Sequence, residues 1–277
     1  MVIPSRWFAG GKGLDDFRAE MLSDRHMRML IDYENASEVF PGVDIAAGVC
    51  YFLYDRDSTG PCRVTTINGD SRTMSERFLD EFTTLIRHGD AVSIIRKIIT
   101  VDEPRMSERV SSRKPFGLST TARPKITGDI KLRWQGGIGP YNRAALTTGV
   151  EMIDQWKVIT SKASHDHGGQ PDRNGLRKVL ATTELLEPGI ACTETYIVAG
   201  SFRDKTKAEN LLAYLKTRFA RFLIAQVAHS LDITKSRFKL VPDLDMSRRW
   251  NDADLAERYG LTPDEVAFIE SKIRAWE

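Results

Sequence analysis

Two nearly continuous apolar runs of strand length, Met27–Tyr33 and Val49–Tyr54, constrain this chain more than any other feature. A run without alternation leaves no face of a strand free for water, so both suit strands buried on two sides, as in an α/β sheet. Just ahead of them, Leu14, Phe17, Met21 and Leu22 fall on one helical face, and Asp15 and Asp16 sit where a helix dipole favours negative charge. Cys62–Ile67 alternates like a half-exposed strand. The order helix, strand, loop, strand, strand predicts an α/β unit: part of a doubly wound, Rossmann-like sheet whose first half is missing.

A length of 277 residues suits one large or two ordinary domains. With 41% hydrophobic and 28% charged residues, and no run near the roughly 20 apolar residues of a membrane span, a soluble globular protein is expected, with no membrane partner. No signal peptide is visible at the start. Cys50, Cys62 and Cys192 are odd in number and unpatterned, which argues against a disulfide framework and fits a reducing cytoplasm.

The net charge of +2 conceals a gradient. Between Arg105 and Lys178 there are 14 Lys and Arg residues against 6 acids, whereas the segment from Pro242 onward is acidic. Any electrostatic footprint for phosphates is therefore expected in the middle of the chain.

Ala91–Val101 reads as a helix, and Pro104 followed by the polar run to Pro115 reads as a linker. A boundary is placed there, dividing residues 1–104 from residues 105–277. Strand signals recur at Ile130–Trp134, Trp156–Ser161, Lys178–Thr183 and Thr193–Val198. Lys205–Ser230 is the longest helical pattern, with a wide apolar face. At the end, Asn251 caps a short helix that stops at Gly260. Thr262-Pro-Asp-Glu265 then combines an N-cap, a proline at the first helical position and a capping-box glutamate. The acidic surface of this pair favours packing on the preceding domain over DNA reading.

Longer strings carry a family resemblance. Pro4-Ser-Arg-Trp-Phe-Ala-Gly-Gly-Lys-Gly-Leu-Asp-Asp-Phe-Arg18 and Glu38-Val-Phe-Pro-Gly-Val-Asp-Ile-Ala-Ala-Gly-Val-Cys-Tyr-Phe-Leu-Tyr-Asp-Arg56 resemble the back half of the catalytic domain in adenine-N6 DNA methyltransferases of restriction-modification systems. Ser161–Gly175, Pro188–Tyr196, Ala208–Phe219 and Arg258–Lys272 look like the target-recognition region of the same enzymes. The resemblance implies that residues 1–104 are the C-terminal half of a methyltransferase catalytic domain. Residues 105–277 would then be an α+β target-recognition domain with a long helix and two terminal helices. It also implies double-stranded DNA as partner, and S-adenosylmethionine as cofactor of the complete enzyme.

Phe40 is similar in place to an aromatic that stacks on the flipped adenine, since an extruded base needs an apolar face to offset its lost stacking. Its other reading is filler between helix and sheet. Gly10-Gly-Lys-Gly13 lacks the spacing of a nucleotide P-loop and reads as a tight turn into a helix, with Lys12 as a candidate DNA-phosphate contact. Trp134–Tyr141, flanked by Lys131, Arg133 and Arg143, reads as a groove-approaching loop or a hairpin end. Lys162, Arg173 and Lys178 complete the candidate DNA-binding set. His165 and His167 lack companion ligands, so no metal is expected. Asp172, Glu187 and Glu194 do not form a restriction-nuclease pattern.

Asn-Pro-Pro-Tyr does not occur in the chain, and no Gly-rich turn between a strand and a helix is expected to supply a donor site. The expectation is a recognition fragment with no complete catalytic set and no cofactor of its own, inactive alone. Two alternatives stay open: a nuclease or nuclease subunit of such a system, and a structural module completing a separately encoded methylase half. Residues 1–8, taken as the end of a central strand without its neighbour, predict self-association or a cover over that edge.

Overall fold

The computed structural model describes residues 1–276 apart from 12, 44, 165, 167–170 and 228–231. The described chain is mixed α/β, with three sheets and seven α-helices. It opens with β1 (Val2–Pro4), α1 (Asp15–Ser23), β2 (Met27–Tyr33), β3 (Val49–Tyr54), β4 (Cys62–Asn68) and β5 (Ser71–Arg77). These strands form one sheet in the order β1-β3-β2-β4-β5. Only β2 and β4 are parallel neighbours; the other three pairings are antiparallel. The expectation of a doubly wound sheet is thus met only in part. Among the described residues no α-helix interrupts the chain between β2 and β5, so it reverses at each loop instead of making the helical crossover that a parallel sequential neighbour requires.

Residues 1–8 are not the end of a central strand, which corrects that expectation. β1 is three residues long and lies at the edge of the sheet, pairing with β3. The chain then turns inward over Ser5–Phe8, burying Trp7 and Phe8 against Leu30, Cys50, Val64 and Leu85. The polar strand β5 escapes sequence patterning because it is a half-exposed edge with little apolar alternation. A two-residue turn, with Gly69 at φ +56°, joins it to β4 through the Asn68–Ser71 pair.

The next elements are α2 (Gly89–Ile99), α3 (Met106–Arg109), β6 (Ile130–Trp134), β7 (Gly137–Tyr141), β8 (Trp156–Ser161), β9 (Thr183–Leu186), β10 (Ile190–Cys192) and β11 (Tyr196–Phe202). They make two three-stranded sheets, β10-β6-β7 and β11-β8-β9. Strand alternation divides their side chains between two cores. Ile159, Tyr196 and Val198 join Ile130, Leu132 and Phe116 between the sheets. Val158, Ile197 and Ala199 face the opposite way, into a core shared with the helices. That second core also takes Val92, Ile94, Ile95 and Ile98 of α2, so the apolar interior does not divide at residue 104.

Four helices finish the chain: α4 (Lys205–Lys216), α5 (Arg218–Gln226), α6 (Asp252–Arg258) and α7 (Pro263–Lys272). The single long helix expected over Lys205–Ser230 is broken at Thr217, whose extended backbone (ψ 152°) ends α4 and whose hydroxyl caps α5 by accepting from Ala220 N. Apolar periodicity runs on across that break because both helices press on one core. The capping box expected at Thr262 is present, and Asn251, expected as a cap, forms a capping box with Asp254 as well. The terminal pair packs inward: Tyr259 stacks on Phe219 at 5.2 Å, and Glu265 bonds Ser93 (2.9 Å) and Lys97 (2.6 Å) of α2. No helix among the described residues is long and apolar enough to cross a membrane.

Candidate nucleic-acid interface

The most elaborate polar site lies at the carboxyl ends of the parallel pair β2 and β4, where open α/β sheets commonly leave a ligand crevice. Asp32 and Glu34 alternate along and just past β2, so both side chains project to one face and both are buried. Two adjacent residues ahead of α2, Arg87 and His88, meet them. Arg87 Nε lies 2.7 Å from Asp32, which also accepts from Ser5 Oγ at 2.8 Å. The Ala47 carbonyl is another acceptor for Arg87, and the turn presenting it needs Gly48, where φ is +76° and a Cβ would stand 2.0 Å from the Tyr33 carbonyl.

Glu34 is held from both halves of the chain. His88 Nε2 lies 3.0 Å away, Asn68 Nδ2 donates at 2.8 Å, and Arg177 Nη2 approaches to 3.3 Å. Burial works against the charge, but Arg177, His88 and Arg87 together hold the Glu34 carboxyl well below the usual carboxylate range. The His88 imidazole is positioned by this carboxylate, while its Nδ1 has no hydrogen-bond partner among the described residues.

Above this network opens a cavity of about 610 Å³, lined by Glu34, Thr66, Asn68, His88, Arg173 and Lys272 among others. Phe40 belongs to the same corner: its amide donates to Ala36 O, and the neighbouring Glu38 accepts from Gly69 N at 3.0 Å. The Phe40 ring is 41% exposed, so it does not fill a gap between helix and sheet. An exposed ring can offer a stacking face to a planar ligand.

The other expected DNA contacts are scattered. Arg173 lines the polar cavity, and Lys131 is exposed on β6 beside a second cleft of about 650 Å³. Neither has a carboxylate partner among the described residues. Arg133 is engaged by Glu184, by the Trp134 carbonyl and by the ring of Tyr196 at 4.9 Å. Arg143 pairs with both oxygens of Asp154, and Lys162 lies 3.4 Å from Glu194. The Lys178 ammonium stands 5.4 Å over Trp276. Lys12, His165 and His167 lie outside the described residues. Among the described residues, no group of three or more His, Cys, Asp or Glu side chains could hold a metal ion.

The Lys178–Thr183 strand is another correction. The strand begins only at Thr183, because Asp166 accepts from the amides of Lys178 and Val179 and fixes Val179 at φ +70°. β6 and β7 do form a hairpin. Its surroundings expose Ile126 (97%) and Ile138 (52%), and Arg123 lies over Trp134 at 4.6 Å.

Gly11 turns the chain toward α1, its carbonyl accepting from Leu14 N, as the reading of a tight turn into a helix expects. Arg18 reaches back into it, donating to the carbonyls of Trp7 and Gly10 at 2.6 Å each.

Sequence reasoning missed Glu34, His88 and Arg177. A signal existed, since Asp32 and Glu34 alternate at the end of an apolar run, and an acid buried there demands a buried cation. Arg87 lies 55 positions from Asp32 and Arg177 lies 143 from Glu34, so they could not be paired from spacing. No match to a curated protein was found for this chain. Residues 1–40 match the family model of the Eco57I restriction-modification methylase, a match that reaches from β1 to Phe40 and supports a relation to restriction-modification methylases.

Proposed function

We propose that this chain is the DNA-reading part of a restriction-modification adenine-N6 methylase, with residues 105–277 serving target recognition and residues 1–104 forming the end of the catalytic sheet. The observation that carries the reading is the match of residues 1–40 to the Eco57I restriction-modification methylase, which ends at an exposed Phe40. In this reading Phe40 stacks on the extruded adenine. Arg173 and Lys131, exposed and without carboxylate partners among the described residues, contact phosphates. Arg133, Arg143, Lys162 and Lys178 hold the recognition surfaces in shape through their intramolecular partners. The methyl donor and the clamp on the adenine amine come from a segment or partner carrying Asn-Pro-Pro-Tyr, a tetrapeptide these 277 residues lack.

Two measurements test the reading. The 277-residue chain should bind mixed-sequence duplex DNA at about 10⁻⁴ to 10⁻⁶ M with a marked salt dependence. Calorimetry should show no S-adenosylmethionine binding, and a tritium-transfer assay no methylation. Salt-independent DNA binding, or methylation by this chain alone, would overturn the reading; metal-dependent cleavage without donor would replace it with a nuclease. When the missing motifs are supplied, Phe40→Ala should lower turnover about tenfold or more and leave duplex binding intact, given about 1–3 kcal/mol of base–aromatic stacking.

A further inference from the structure

Positive charge without a carboxylate partner among the described residues also gathers outside the basic middle segment. Two clefts of about 590 Å³ and 350 Å³ share the walls Thr234, Ser236 and Lys239 and so form one trough. It runs from the Gly10–Gly11 turn to Arg113 and Lys162, lined by residues of both halves of the chain. Six cations line it against two carboxylates, Asp15 and Asp232, among the described residues. Asp15 is taken by Arg18 at 2.7 Å. At the far end Arg113, Lys114 and Lys162 share the single carboxylate Glu194. In the centre, Lys239 donates to the Thr83 hydroxyl at 3.0 Å and has no carboxylate partner among the described residues. Burial first, and then the field of Arg18, push its ammonium down to about 8, with Asp15 acting the other way.

We infer that this trough is a phosphodiester-binding groove, in which Lys239 and the exposed Lys235 contact the DNA backbone and the hydroxyls of Thr234 and Ser236 supply further donors. The inference rests on the DNA reading above and assigns its non-specific contacts to residues outside the 105–178 segment. Excess cations in a concave wall suit a polyanion, because each neutralised phosphate releases a condensed counterion. An unpaired lysine also needs no carboxylate displaced before it can bind.

The test is fluorescence anisotropy with two unrelated labelled 20-base-pair duplexes, titrated at several salt concentrations on the full chain. Lys239→Gln and Lys235→Gln should each reduce the slope of log K against log salt by about 1, weakening binding similarly for both duplexes. Arg96→Gln, whose wild-type side chain is held by Glu81, is the control and should leave the slope unchanged. If Lys239→Gln fails to fold, the slope measured for the exposed Lys235→Gln variant decides between the outcomes. Wild-type binding with both lysine variants at the wild-type slope overturns the groove while sparing the DNA reading. No salt-dependent binding by the wild type overturns both.

Discussion

Charges around Asp32 and Lys157 and charges along the Lys239 trough have the same chemistry and opposite fates. In the first region every charge is engaged: Arg87 with Asp32, His88 and Arg177 with Glu34. Lys157, fully buried in β8, places its ammonium among the carbonyls of Met152, Ile153, Gln155 and Glu187. In the trough the cations outnumber the carboxylates, and Lys239 has only a hydroxyl. The difference separates charge that specifies the fold from charge left over for a partner. A buried charge must be paired or it costs several kcal/mol, whereas a rim cation is solvated and available.

The comparison is most exposed at the buried end. Arg87→Met leaves Asp32 buried without its cation, and Lys157→Ala leaves four carbonyls short of a donor. Each should lower unfolding stability in urea by about 3–5 kcal/mol. Losses below about 1 kcal/mol would show that these charges are not what holds the sheet ends together.

Glu34→Gln is the sharper intermediate case, because its effect has a pH window. The Glu34 carboxyl is depressed in the fold from its ordinary 4.5, so its stabilising contribution is fully present above that value. It is lost progressively as pH falls through the lower folded value. The variant should be less stable by about 1–3 kcal/mol at pH 7, and the difference from wild type should shrink on acidification below 4.5. A difference that stays constant between pH 7 and pH 3 would mean that Glu34 contributes shape and not charge.

The smallest effects belong to the surface. Arg96→Gln breaks a largely exposed pair with Glu81 and should cost about 0–1 kcal/mol. Lys235→Gln, at an exposed position with no carboxylate partner among the described residues, should change melting by no more than about 0.5 kcal/mol. These two variants would then differ in DNA binding and not in stability. A stability loss at Lys235 comparable to that at Arg87 would erase the distinction between the regions.

How far the sequence could be read follows from the same physics. The apolar runs of β2 and β3, the helix α1 and the caps at Asn251 and Thr262 were legible because each is set by neighbours within a few residues. The Thr217 break was hidden, because apolar spacing on either side continues a single stripe and the cap hydroxyl looks like any other threonine. β5 was hidden because a polar edge strand is defined by the ladder it joins and not by its own pattern.

By itself the sequence determined local elements, the surplus of cations in the middle of the chain and a family likeness that the match of residues 1–40 supports in part. Only the tertiary structure decided strand direction, which of those cations are spent on Glu184, Asp154 and Glu194, and that Lys239, outside the basic segment, faces Arg18 from 221 positions away in the chain. The reason is range. Helix caps and strand runs are fixed by contacts between near neighbours, whereas a charge is paired or spare according to what folding brings within about 4 Å of it, and no local pattern encodes that distance.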